Sequence, residues 1–442
     1  MHPSKCRSWR AAPRILALVL WQAAAVCAAA QSWVSEYPQV REQTAKSCQP
    51  PAGMECQQNL RKLTRLLDGR IDIVYRLAQM DAALGLQAAS LANLELYARS
   101  RVDLGDPQLD AMFAPLRATP RFAALERRYK SGILATGSFR QLATIPDANL
   151  IAEDLAIDPR DGARYVSSVR TGTIWKLDSS GHWSVAIAAA DLSAWGAYAL
   201  AIDARRDRIW IGSVAGAVSP PYPSSDSGRS VILRVGLHNH GSPRRYELRD
   251  GLPHAFGDMA LGEQGEVYVS DGVGGGVYRI GAADDAQLEV LCAPGLMRSP
   301  QTPVVLPGGQ RLFVPDYTRG IAIVDLSKSG KVSWLPHPPE LALYGIDGMY
   351  LHGHTLIAIQ NGTVPERLLL LHLDAALSRV TSWAVALSGV AGLGDPTHGV
   401  VRAGQFEFIS NSGWDRVADD GSFSGADASN PAIWSIALPA DD

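Results

Sequence analysis

From Glu153 onward the apolar and polar positions recur in one order: a short apolar run, a Gly- or Asp-bearing turn, a strand ending in small polar residues, and further apolar strands. The opening runs are LAID at Leu155, LAID at Leu200, MALG at Met259, PVVL at Pro303, MYLH at Met349 and GVVR at Gly399. Their spacing of roughly 44 to 59 residues is the length of one four-stranded blade, so the pattern predicts an all-β six-bladed propeller over 137–438. Second strands end at Ser168, Ser213, Asp271, Asp316, Gln360 and Asn411. After AIWSIAL the sixth blade is one strand short. The alternating segment GSFRQLATI, Gly137 to Ile145, is expected to supply that strand and so remove an open sheet edge. The one long insertion, Ala215 to Arg229, is expected to be a mobile loop beside the mouth.

Upstream the period changes. Leu60, Leu63, Leu67, Val74 and Leu77 fall near helical spacing, which predicts a small α-helical region over 31–132. Within it DPQLDAMFAPLRATPRFAALERR resembles the closing helix pair of tetratricopeptide-type arrays at Phe113, Leu116, Pro120, Phe122 and Leu125. A solenoid needs about three repeats to stand alone, so this segment is expected to cap the propeller. Its alternative role is to bind a protein partner.

The N-terminus carries Lys5, Arg7, Arg10 and Arg14, an apolar run from Ile15 to Val26, and Ala28-Ala29-Ala30. This is the pattern of a signal peptide over 1–30, which implies a periplasmic or secreted protein; Val26 is bulky where a lipobox ahead of Cys27 wants a small residue. No later run reaches ~18 uninterrupted apolar residues, so no membrane span is expected. Export permits disulfides, and Cys48 and Cys56, bracketing a proline-bearing turn, are expected to pair and leave Cys292 as a buried strand thiol. A net charge of −3 on 442 residues gives no electrostatic case for nucleic acid.

A propeller brings the start of each innermost strand to one axis. Two residues before the six apolar runs stand Glu153, Tyr198, Gly257, Gln301, Asp347 and Thr397. Two carboxylates and an amide are hard oxygen donors suited to calcium or another divalent cation, and like-charged Glu153 and Asp347 need a cation or a proton between them.

At these residues, and through SPQTPVVLPGGQRLFVPDY and LYGIDGMYLHG, the propeller resembles the senescence marker protein/gluconolactonase/paraoxonase superfamily. The resemblance implies a central divalent metal, usually calcium, that polarises a lactone or ester carbonyl. It assigns Glu153, Gln301 and Asp347 to that metal, and Asp154 and Asp258 to a second, structural ion. Two departures stand out: Gly257 replaces a metal-binding asparagine, and the paraoxonase histidine dyad has no counterpart at Ala197 and Tyr198.

His254 and His398 flank axial positions and are the candidate general bases. Asp271, Asp316 and Asn411 are candidate substrate contacts, although strand-end polar residues are also ordinary turn formers. His352 and His354 fall on the face away from the mouth. GVGGG, Gly272 to Gly276, lies between two strands and makes no phosphate loop. The expected function is that of an exported calcium-dependent hydrolase of a small polar lactone or ester. The alternative is a non-catalytic propeller that binds a ligand or partner protein at its mouth.

Overall fold

The structure, a computed structural model, describes residues 33–328, 331–418, 420–424 and 429–440. The expected signal segment lies outside them. The chain begins as helices: α1 (33–47), α2 (Met54–Leu66), α3 (Ile71–Ala83), α4 (Gln87–Ser100) and α5 (Pro120–Gly132). Local chemistry sets α5: Pro120 opens it, and the Thr119 hydroxyl caps it by accepting from Phe122 N at 3.2 Å. Cys48, just past α1, is disulfide-bonded to Cys56 in α2, with 4.8 Å between the Cα atoms. Cys292 is free and buried.

The helices pack against the propeller. Val74, Tyr75, Leu94, Tyr97, Phe113 and Phe122 form one buried cluster with Ala342 and Tyr344 of the ring. Polar ties surround it: Arg367 Nη1 donates to Ser100 O and Arg101 O at 2.8 and 2.9 Å, Arg70 Nη1 to Thr318 O at 3.2 Å, and Trp33 Nε1 to Leu296 O at 3.2 Å. Arg367 is wholly buried, so its cation exists there only because those carbonyls and Gln360 accept from it.

The ring is six antiparallel four-stranded sheets. Their innermost strands are Ala152–Ile157, Gly196–Asp203, Phe256–Leu261, Val304–Val305, Ile346–His352 and Gly399–Arg402, defining blades one to six. The first strand of the chain, Arg140–Thr144, pairs antiparallel with the last, Ala432–Ala437, so that the two ends of the propeller share blade six. Phe139 stacks on Trp434 with ring centroids 3.6 Å apart and adds apolar contact to the closure.

Irregularities in the innermost strands position the mouth. The register shifts between Ala152 and Leu155, Ala197 and Leu200, Phe256 and Asp258, and Ile346 and Met349. These bulges contain Glu153, Asp154, Gly257 and Asp347, and a bulge re-aims the side chains it carries. In blades four and six the same purpose is served by late starts: Gln301, Thr302, Thr397 and His398 lie just ahead of Val304 and Gly399.

The strand-end polar residues latch the entry to each innermost strand. Ser213 Oγ accepts from Trp195 N, Asp271 from Ala255 N, and Asp316 from Arg298 N, while Gln360 Nε2 donates to Ala342 O. The Ala215 to Arg229 insertion is pinned at its base, Ala215 N donating to Arg229 O at 2.9 Å, and holds a short 3-10 turn at Ser224–Asp226. Among the described residues no helix is long and apolar enough to cross a membrane.

Closure by the N-terminal strand has a measurable consequence. A chain starting at Gly137 keeps the strand that covers Ala432–Ala437, whereas one starting after Ile145 exposes that edge. The longer truncation is expected to melt lower and aggregate more in light scattering. Equal behaviour of the two would show that the pairing adds nothing to the ring.

Candidate functional site

Two tiers of polar side chains fill the axis. In the deeper tier His398 Nδ1 donates to Glu153 O at 3.0 Å and Nε2 lies 2.7 Å from Asp258 Oδ1. A carbonyl and a carboxylate can only accept, so both ring nitrogens donate and the ring is an imidazolium. Burial alone would lower the His398 pKa, but the Asp347 and Asp258 carboxylates beside it carry it well above its ordinary value. Thr302 Oγ1 donates to Asp258 Oδ1 at 2.6 Å and lies 3.1 Å from Asp347 O. Asp154 Oδ2 accepts from Leu200 N at 2.6 Å and its Oδ1 from Leu155 N at 2.7 Å. Burial pushes this carboxyl up to about 6, with the His398 charge opposing. Asp154, Thr302 and His398 also line an axial channel of about 370 Å³ running through the innermost strands.

The upper tier faces the mouth. Glu153 Oε2 accepts from Trp414 Nε1 at 2.5 Å, and Trp414 is steadied by Tyr198, 6.3 Å away ring to ring. Asp347 Oδ2 accepts from Asn361 Nδ2 at 2.8 Å, and Tyr317 OH donates to Asn361 Oδ1 at 3.0 Å. Burial holds Glu153 well above the usual carboxylate range, opposed by His398 and reinforced by Asp347; burial pushes Asp347 up to about 6. Beside them lie Glu366, raised by burial, and Asp395, which burial and the neighbouring Glu366 and Asp347 push up to about 7. Among the described residues no lysine or arginine is ion-paired with Glu153, Asp347, Glu366 or Asp395.

This donor set fits a cation. Asp258 and Asp347 offer carboxylate oxygens within 4.8 Å of each other and of a His398 ring nitrogen, which would join them as a ligand only after losing its proton. Gln301 spends its amide nitrogen on Ser299, 3.0 Å to Oγ and 3.2 Å to O, which leaves its amide oxygen as the free donor. Gly257 contributes nothing to the axis: a Cβ placed there would meet only Ala255 O, at 4.0 Å.

His254 stands apart from the axial cluster. Its Nδ1 is 2.6 Å from Asp271 Oδ2 and its Nε2 is 3.0 Å from Asp250 Oδ1, so both nitrogens are committed. Asp271 also accepts from Gly274 N, and Asp316 from Arg298, Ser299 and Thr318 backbone N–H groups. Asn411 donates to Ser429 and Asn430. The three candidate substrate contacts therefore hold loops in place. Residues that the sequence reading passed over are Thr302, Asn361, Asp395 and Trp414. Their signal was adjacency: Thr302 follows Gln301, Asn361 follows the strand-end Gln360, and Asp395 precedes His398 in GDPTHG.

No family model matches the chain, and no curated protein does. Solved structures do. A gluconolactonase from Xanthomonas campestris is 13% identical, with 69% of this chain and 91% of that one covered at a TM-score of 0.45. The luciferin-regenerating enzyme is 12% identical over 68% and 95%, TM-score 0.47. Virginiamycin B lyase from Staphylococcus aureus is 10% identical over 68% and 99%, TM-score 0.44. At such identities the likeness speaks to no individual residue of the site.

The buried acid Asp154 makes stability depend on pH in a definite direction. Its folded pKa of about 6 lies above the ordinary 3.8, so its contribution is complete below the lower value and is lost as pH rises through the upper one. Asp154→Asn, neutral throughout, is therefore expected to gain on the wild type in metal-free buffer as pH rises from about 4 to about 7. Denaturant melts of both proteins at each pH check this; a difference that stays flat would show that Asp154 titrates normally.

Proposed function

We propose that the mouth holds a divalent cation, calcium first, and that the exported protein, periplasmic or secreted, hydrolyses a lactone or ester there. The observation that carries this reading is the pairing of Glu153 and Asp347. Two carboxylates from blades one and five meet at one axis, burial holds both above their usual range although the His398 charge opposes it, and among the described residues no lysine or arginine is ion-paired with either. Without a cation, protons must neutralise such carboxylates; a bound cation would let both stay ionised at neutral pH.

Glu153, Asp347 and the amide oxygen of Gln301 are the proposed ligands of this tier. Asp258 joins them from below, and Asp154 marks where the resemblance puts a second ion. When bound, the cation would polarise a carbonyl oxygen. The chain's own residues do the rest. Trp414 and Asn361 orient Glu153 and Asp347 through single hydrogen bonds. Asp395, pushed up to about 7 and close enough to Asp347 to feel its charge, is suited to take a proton from water near neutral pH. His398 and His254, with both nitrogens donating, position neighbouring groups and accept no proton as placed.

Gly257 favours a second reading. It brings no side chain to the axis, and a binding propeller without chemistry needs none there. Calcium titration decides first. A ligand at a hundredfold excess over its dissociation constant adds ~2.7 kcal/mol to folding stability, and Glu153→Gln is expected to reduce that response. In a lactone and aryl-ester panel, wild type is expected to show calcium-dependent turnover, Asp347→Ala none while remaining folded, and Gly257→Asn tighter calcium binding. No metal in the purified protein, no calcium response and no turnover would leave the binding reading.

A further inference from the structure

Where the helices meet blades five and six, they border an open cleft of about 630 Å³, within the ~300–1,000 Å³ typical of small-molecule sites. We infer that this seam is a substrate subsite for an apolar substituent, so that the helical segment forms part of the site and the substrate is an ester or lactone bearing an alkyl or aryl group of several carbons. The inference rests on the hydrolytic reading above and narrows its substrate class.

Three observations carry it. The lining carries apolar side chains from both sides, Val102 and Leu104 from the helical segment and Tyr344, Val364, Val390 and Leu393 from the ring, with the charged Arg70, Asp72, Asp103 and Glu366 around them. Leu104 remains 37% exposed and Val364 64% exposed, although both line a concavity, which is the condition of an apolar surface lacking its partner.

The walls are also fixed in place. Asp103 N donates to Val364 O at 2.5 Å, tying the loop after α4 to the blade-five hairpin, and Arg367 clamps Ser100 and Arg101 just upstream. Arg70 is held by Asp72 at 2.9 Å and by Thr318 O, with its guanidinium 4.3 Å from the Tyr344 ring centroid. A preformed pocket needs little ordering when it binds.

Finally, the cleft shares its wall with the axial site. Asn361 lines it and donates to Asp347 Oδ2 at 2.8 Å, while Glu366, also lining it, accepts from Asp395 N at 2.7 Å. A carbonyl at the axial carboxylates would therefore direct its substituent along Asn361 into the seam. Residues of the helical segment would then set which esters fit, and the ring would set what is done to them.

The test uses the full chain with calcium and two substrates, p-nitrophenyl acetate and p-nitrophenyl hexanoate. Wild type is expected to favour the hexanoate by about tenfold or more in kcat/KM, expressed in KM, since each methylene in an apolar pocket discriminates strongly. Val390→Trp fills the seam, and Leu104→Lys puts a charge in it from the helical side. Both are expected to raise KM for the hexanoate by about tenfold and to leave the acetate ester within about twofold and the calcium response unchanged. Equal use of the two esters by wild type, or variants that affect both alike, would overturn the subsite. If neither ester turns over, calorimetry with N-phenylhexanamide and N-phenylacetamide separates the two ideas. Tighter binding of the hexanamide, lost in Leu104→Lys, keeps the subsite while the hydrolytic reading falls; no discrimination between the amides removes the subsite itself.

Discussion

The imidazolium of His398 is the contact on which the axis depends. It arrives from blade six, donates to the blade-one carbonyl of Glu153 and pairs with Asp258 of blade three. Thr302 of blade four bonds the same Asp258 oxygen and approaches the blade-five carbonyl of Asp347, while Asp154 of blade one takes Leu200 N of blade two. All six blades thus join one polar network. Its members are nearly all buried, so each must be satisfied, and removing any one leaves a neighbour desolvated and unpaired. A ring whose blades otherwise meet through apolar clusters gains from this a fixed phase of each innermost strand relative to the others.

The network also explains why the innermost strands are irregular. A regular strand would alternate its side chains and send Glu153 and Asp154 to opposite faces. The bulges at Ala152/Leu155 and Ile346/Met349 break that alternation, so Glu153 can meet Trp414 at the mouth while Asp154 takes backbone N–H groups and faces the channel. Concentrating carboxylates in this way is unfavourable in itself. His398 pairs with Asp258 in the deeper tier and opposes the upward shifts of Glu153 and Asp347 only in part; the raised pKa values of Asp347 and Asp395 record the carboxylate excess that remains. Chemistry is accordingly expected in the upper tier.

Period and chain closure were legible from residues alone. The six apolar runs marked the six blades, and the missing outer strand after AIWSIAL pointed to Gly137–Ile145. The two axial carboxylates were legible because equivalent positions of a repeat must converge. Their partners were not. Asn361 and Trp414 reach Asp347 and Glu153 from loops whose course depends on tertiary packing, so no repeat position predicts them. His254 is the converse case. It lies three residues before Gly257's axial position is reached, yet the backbone between them turns, and the ring is held by Asp271 and Asp250. The strand-end residues followed the repeat faithfully, but what the repeat conserved in them was a latch.

The ring is chemically lopsided, and the helices respect that. Their polar ties run to Leu296, Thr318, Val364 and Arg367, around the loops of blades three to five, where Gln301 and Asp347 project. Across the mouth stand Tyr198 and Trp414, aromatic and near Glu153. A ligand at the axis would therefore lie between an aromatic wall and a seam built by the helices, with Gly257 leaving room on a third side. Under the proposed function, such a site would orient a substrate by its substituents as well as through the metal. The helical segment, too short to act as a solenoid, has a sufficient physical reason to be there: it converts one sector of an open ring into a wall.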